Sequence, residues 1–188
     1  MKARESGMPD EKMWRQFFDV EKILNELEIN NNIKILVELG FGYGTFTIPA
    51  GRKISGTVYA FDIEQTLNKE LESKLKINNI TNVNLINKDF ITGGTGLQND
   101  EADYVMIFNI LHAEESVEIL HEAFRILKPK GKVGIIHWNY DAGTPRGPSM
   151  SIRPKPEEIR NMLTGAGFSI VKFNINLPPY HYGILAQK

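Results

Sequence analysis

Apolar positions along the chain fall into two alternating registers. "KILVEL" (34–39), "TVYAFD" (57–62), "VNLINKD" (83–89), "YVMIFN" (104–109) and "KVGIIHW" (132–138) are short runs rich in Val, Ile and aromatic residues. The first and last are almost continuously apolar, as strands covered on both faces should be. Between the runs, Leu67, Leu71 and Leu75 recur every four residues, and Val117, Leu120, Phe124 and Leu127 every three or four. Each set is a helical stripe. The second stripe runs into "KPKGK", where Pro129 cannot continue a helix and Gly131 permits the turn. Strands and helices alternating in this way predict a parallel sheet with helices on both faces.

The two ends depart from that rhythm. "PEEIRNMLTGAGF" predicts a helix with Pro156 near its first turn and Gly165 and Gly167 closing it. "FSIVKFNINLPPYHYGILAQK" then reads as two strands joined by "LPP", a connection too short to cross over, so they should be antiparallel neighbours at one sheet edge. At the front, "PDEKMWRQFFDVEKILNELEI" places Met13, Phe17, Ile23, Leu24 and Leu27 for an amphipathic helix, with a break near Asp19. Trp14, Phe17 and Phe18 should not share one face of it, so at least one is expected to line a pocket.

Bulk composition narrows the field. A chain of 188 residues, 41% hydrophobic and of net charge −1, is most simply one domain with a core of its own. The absence of cysteine excludes disulfides, thiolate metal sites, iron–sulfur clusters and a cysteine nucleophile. The balance of 22 basic against 23 acidic residues argues against a nucleic-acid partner, which needs a clustered basic excess. The opening "MKARESGMPDEKMW" has no signal-peptide core, and no apolar run approaches the ~20 residues needed to span a bilayer. A cytoplasmic setting without a membrane partner is the expectation.

The chemistry concentrates where the first strand ends. In "VELGFGYGT", Gly40, Gly42 and Gly44 follow the strand and a helix can start straight afterwards. Glycine allows positive φ and close approach of a ligand to the main chain, and the helix start offers free N–H donors. Asp62 ends the second strand, 22 residues beyond Gly40, where a carboxylate can take both hydroxyls of a ribose. These features indicate a nucleoside-bearing cofactor. A dinucleotide turn, G-x-G-x-x-G, would want Gly or Ala where Thr45 stands. Glu38 at the mouth would repel a pyrophosphate but favour an ammonium or sulfonium, so the spacing prefers a cationic ligand.

At this point the sequence resembles the class I S-adenosylmethionine-dependent methyltransferases, in particular the small quinone-biosynthesis-like (type 11) branch. "VELGFGYGT", "YAFDIE", "NKDF", "ADYVMIFNILH" and "RILKPKGKVGIIHW" match that family's successive motifs, and the terminal hairpin its seventh strand beside the sixth. The resemblance implies a Rossmann-like, doubly wound seven-stranded α/β sheet, mostly parallel with an antiparallel C-terminal strand. It implies a single domain over 1–188, with an N-terminal helical cap (1–30), a cofactor-binding core (31–138) and a substrate-side loop, helix and hairpin (139–188). The cofactor implied is S-adenosylmethionine, and the reaction is in-line methyl transfer to a small molecule by a monomer or homodimer. "NILH" stands where amino-methylating relatives carry Asn/Asp-Pro-Pro-Tyr, which disfavours that type. An NAD(P)-dependent oxidoreductase, a protein or RNA methyltransferase and a non-catalytic cofactor-binding subunit stay open as alternatives.

Individual residues carry this reading with a plainer one beside it. Glu38, Gly40, Gly42 and Gly44 are expected to contact the cofactor, against a strand-end cap and tight-turn glycines. Asp62 and Ile63 are assigned to the ribose, against a helix N-cap. Asp89 and Phe90 are placed beside the adenine, against a turn. Asn109 sits where the family uses a main-chain carbonyl for the methionine ammonium. Trp14, Phe17, Phe18, Trp138 and Arg146 are the expected acceptor pocket, although Arg146 and Arg153 also read as solvated loop residues. His137, His112 and Asp141 are candidate general bases, with structural roles equally open. His121 reads as inert and His181 as hairpin packing. No metal is expected, since the histidines lack the H-x-x-x-H spacing of a zinc helix.

Overall fold

The computed structural model describes residues 8–188. The first seven residues, part of the expected 1–30 cap and of the opening read as lacking a signal-peptide core, lie outside the described residues. The strands are β1 (Ile35–Leu39), β2 (Thr57–Asp62), β3 (Val83–Asn87), β4 (Ala102–Phe108), β5 (Leu127–Trp138), β6 (Ser169–Leu177) and β7 (His181–Gln187). They form one seven-stranded sheet in the order β3-β2-β1-β4-β5-β7-β6. The pairs among β1 to β5 are parallel, and β7 is antiparallel to both β5 and β6. This is the doubly wound, mostly parallel sheet that the alternating pattern predicts.

Helices cover both faces: α1 (Glu11–Arg15), α2 (Val20–Glu26), α3 (Thr47–Lys53), α4 (Gln65–Ile77), α5 (Phe90–Gly93), α6 (Ser116–Ile126) and α7 (Pro156–Gly165). Neighbouring strand residues point to opposite faces, which is why the central runs are apolar throughout. Leu36, Val58, Met106 and Ile136 pack with Leu24, Ala50 and Leu71 on one side. Val37, Phe61, Val105 and Ile135 pack with Leu120, Ile126 and Leu163 on the other. No helix among the described residues is long and apolar enough to cross a membrane.

Several boundaries differ from the sequence expectation, each for a local reason. β3 stops at Asn87 because Asp89 leaves the strand to cap α5, its carboxylate accepting from the Ile91 and Thr92 N–H groups at 3.1 and 3.3 Å. Leu127 opens β5 instead of closing α6: it pairs with Ala102, and "KPKGK" is accommodated as an irregularity before Tyr104 pairs with Lys132. Val117 is 45% exposed, so the buried stripe of α6 is Ile119, Leu120, Ala123 and Ile126. At the front the expected break falls at Asp19, which caps α2 through the Lys22 N–H. Because α1 ends at Arg15, Trp14, Phe17 and Phe18 are free to converge. Trp14 meets both rings, at 6.3 and 5.0 Å, and of the three it alone lines the cavity described below.

Candidate active site

The C-terminal ends of β1, β2, β4 and β5 open onto a cavity of about 470 Å³. Trp138 on β5 lies three strands from Asp62 on β2, which at ~4.8 Å per strand spaces the ends of the site by roughly 14 Å. At the β1 corner, Gly40 and Gly42 adopt φ of +83° and +52° and both line the cavity. The Gly40 N–H returns to the Phe61 carbonyl at 2.8 Å, and the Gly42 N–H donates to Asp62 Oδ2 at 2.8 Å. Asp62 thus shapes the glycine turn as well as facing the cavity. Its other oxygen accepts from the Glu64 N–H.

Gly44 and Glu38 lie behind that surface. Gly44 is not among the lining residues; a Cβ there would run into the Leu71 side chain of α4. It is a packing glycine. Glu38, 2% exposed, accepts a 2.6 Å hydrogen bond from the Thr47 hydroxyl at the start of α3. Burial raises its pKa from the ordinary 4.5 to about 8, with Thr47 opposing and Asp62 adding to the rise. The side chain is therefore a protonated carboxyl at neutral pH in the free protein. It meets the turn from below and is absent from the cavity wall. The Thr47 partnership has no sequence signal beyond its place in the first turn of the helix.

Beyond Asp62, the wall continues through Ile63, Lys88, Asp89, Phe90 and Ile91. Ile63 is apolar yet 45% exposed, as suits a residue that would cover a flat ligand. Asn109, at the end of β4 with φ +59°, also faces the cavity, and its buried Oδ1 has no hydrogen-bond partner among the described residues. Phe46 and Phe108, which the sequence reading did not single out, complete the floor with ring centroids 4.8 Å apart.

At the β5 end, Trp14, Trp138 and Arg146 line the cavity, with the Trp14 and Trp138 rings 6.3 Å apart. Phe17 and Phe18 do not reach it. They are buried behind the tryptophans, Phe17 5.3 Å from Trp138 and Phe18 5.1 Å from Phe46. Met8 and Pro9 close the front, held there by the Tyr43 hydroxyl donating to the Pro9 carbonyl at 2.9 Å.

Of the three base candidates only His112 lines the cavity. Burial lowers its pKa, so the imidazole is neutral, and its Nδ1 has no partner among the described residues. His137 is fully buried 5.6 Å behind it, and neither ring nitrogen reaches a partner in good geometry, the nearest being the Trp138 main chain. Burial, reinforced by His112, holds its pKa far below the ordinary histidine value. Asp141 is exposed, off the wall, and accepts from the Gly143 N–H at 2.7 Å. His181 packs on Trp138 at 4.4 Å and contacts Asn109, with burial pulling its pKa down to about 3. His121 is exposed.

Arg153 is the largest departure from expectation. Instead of a solvated loop residue, it is 6% exposed and sits inside the 139–153 loop. Its guanidinium donates to the carbonyls of Asn139, Asp141, Arg146 and Pro148 and to the Thr144 hydroxyl, at 2.6 to 3.3 Å. Gly147, at φ +114°, lies against Trp138 in a space where a Cβ would collide. The loop is thereby held over the β5 end of the cavity.

A bare turn with left-handed glycines, an unpartnered amide oxygen, a carboxylate at the second strand and an exposed apolar cover together fit a nucleoside bearing an amino-acid moiety. Among the described residues no cluster of three or more His, Asp or Glu is arranged to hold a metal ion. Residues 36–131, half of the chain, match the family described as "Methyltransferase domain". The chain belongs to that family, and so to the class I S-adenosylmethionine-dependent methyltransferases that its motifs resemble.

Solved structures agree on the fold. A SAM-dependent methyltransferase from Aquifex aeolicus superposes with a TM-score of 0.82 at 22% identity, over 95% of this chain and 93% of that one. A candidate type 11 methyltransferase from Sulfolobus solfataricus gives 0.70 at 24%, over 89% and 90%. The [4+2]-cyclase SpnF gives 0.76 at 14%, over 98% and 84%, so the fold also serves a protein named for a different reaction. No curated protein sequence matches.

Proposed function

We propose that this chain transfers the methyl group of S-adenosylmethionine to a small-molecule acceptor. The observation that carries the reading is the cavity itself. Asp62 and Ile63 stand at one end of it, and Trp14, Trp138 and the Arg153-held loop close the other. A volume near 470 Å³ suits a cofactor with a compact acceptor rather than a folded macromolecule. On this reading Asp62 and Ile63 hold the ribose, Phe90, Ile91 and Asp89 the adenine, and Gly40, Gly42 and Asn109 the amino-acid end. Glu38 supports the turn from beneath.

Bound there, S-adenosylmethionine supplies a methyl group activated on a positive sulfur. The protein's own part is to align the acceptor against Trp14 and Trp138, exclude water and, for an acidic acceptor, take up its proton at His112. Alignment of this kind can lower a barrier by roughly 7–11 kcal/mol, so no nucleophilic side chain is needed. A neutral His112 is the state that accepts a proton at pH 7.

Calorimetry with S-adenosylmethionine, S-adenosylhomocysteine and NAD+ tests the cofactor. The first two should bind and NAD+ should not. Asp62→Ala should cost at least roughly tenfold in affinity, because it removes both the hydroxyl acceptor and the partner of the Gly42 N–H. Binding of NAD+ in preference to the sulfonium compound would defeat the proposal. A methyl-transfer screen over phenols, amines and acidic carbons then asks for the acceptor.

A further inference from the structure

The β5 end of the cavity carries a charge that nothing nearby balances. Arg146 lines the wall there, and among the described residues no carboxylate lies within ion-pair distance of it. The acidic groups on the wall, Asp62, Glu64 and Asp89, belong to the ends of β2 and β3, roughly 14 Å or more away across the sheet. Lys88 sits on that far side as well. His112, between the two ends, is neutral. Asp141 is off the wall, accepting from the Gly143 N–H and close enough to Arg153 to offset its charge.

Position matters as much as charge. The Arg146 carbonyl accepts from the Thr144 hydroxyl at 3.0 Å and from Arg153 at 3.3 Å, and the next residue is seated on Trp138. A buried guanidinium is thus spent on fixing the main chain from which Arg146 projects. Arg153 lies underneath with Asp141 as its charge partner, so the positive charge presented on this part of the wall is that of Arg146. The surrounding wall of Trp14, Trp138, Pro148 and Ile152 is otherwise apolar.

We propose that the acceptor is an apolar, flat-bodied organic carboxylate, with its body between the tryptophans and its carboxylate on Arg146. A guanidinium matches a carboxylate in a planar two-point geometry. Cationic acceptors are disfavoured by the same arginine. The inference rests on the reading that this end of the cavity takes the acceptor.

Trp14 and Trp138 are the chain's two tryptophans, and both line the cavity, so intrinsic fluorescence reports directly on this end. The probes are 3-phenylpropionate, its amide 3-phenylpropionamide and the amine 3-phenylpropylamine, titrated with and without saturating S-adenosylhomocysteine. The acid should bind roughly tenfold more tightly than the amide, the scale of one charge-assisted pair. Arg146→Gln should equalise acid and amide, and Arg146→Glu should shift the preference to the amine. The substituted side chain is exposed and makes no hydrogen bond among the described residues, so both variants should remain folded. No binding of the acid, equal binding of acid and amide, or an acid preference that survives Arg146→Gln overturns the proposal. Failure of S-adenosylhomocysteine to bind counts against the cofactor assignment instead, while the probe series still decides the role of Arg146.

Discussion

At Gly44 the backbone has φ +75°, and the volume a Cβ would occupy is filled by Leu71. Gly44→Ala should therefore destabilise by roughly 2–4 kcal/mol, from strain and overlap together. The cost should shrink in a Leu71→Ala background, where urea denaturation of the four-member mutant cycle isolates the steric part. Gly40 and Gly42 have the same left-handed conformation but face the ligand side. The spacing of the three glycines was legible in the sequence, whereas the division of labour was not. Leu71 comes 27 residues later, and only the fold brings it to the turn. Glu38 teaches the same lesson. Its identity and place at the strand end pointed to the site, but its partner Thr47 and its protonated state follow from burial.

Secondary elements were readable where one period dominated. The apolar runs gave β1, β2 and β4 to within two residues, since these central strands are largely buried. Leu127 satisfied the helical stripe and the strand alike, and its pairing with Ala102 decided the matter. The 139–153 loop had no legible pattern, because much of its hydrogen bonding runs from one side chain, Arg153, to main-chain carbonyls. Replacing that side chain tests the loop as a unit. Arg153→Gln should cost roughly 2–4 kcal/mol by leaving buried carbonyls unsatisfied. It should also open the segment to trypsin at Arg146, in limited digestion monitored by mass spectrometry. Arg153→Lys, able to keep only part of the set, should fall between.

Over the whole molecule the buried titratable groups oppose each other in pH. His181, His137 and His112 all have lowered pKa values in the fold. Below about 6.5 the unfolded chain takes up protons on these histidines while the folded one does not. Stability is lost as pH falls from there toward the His181 value of about 3. Glu38 works in the other direction: its folded pKa is raised to about 8, so its contribution is complete below 4.5 and is lost as pH rises to 8. The unliganded protein should be most stable near neutrality. Glu38→Gln should flatten the decline on the alkaline side, and His181→Gln the acid side, in thermal melts taken across pH 3 to 9.

Antiparallel β7 pairs His181 with Trp138 at the cavity end and Gln187 with Lys132 at the other. Six residues of strand, roughly 20 Å, separate the two. Lys188 is fastened there by main-chain bonds with Gly131 and Lys130. A biotin or fluorophore attached at position 188 would sit at the pole opposite the pocket mouth, so the protein can be immobilised there for binding measurements without obstructing ligand entry.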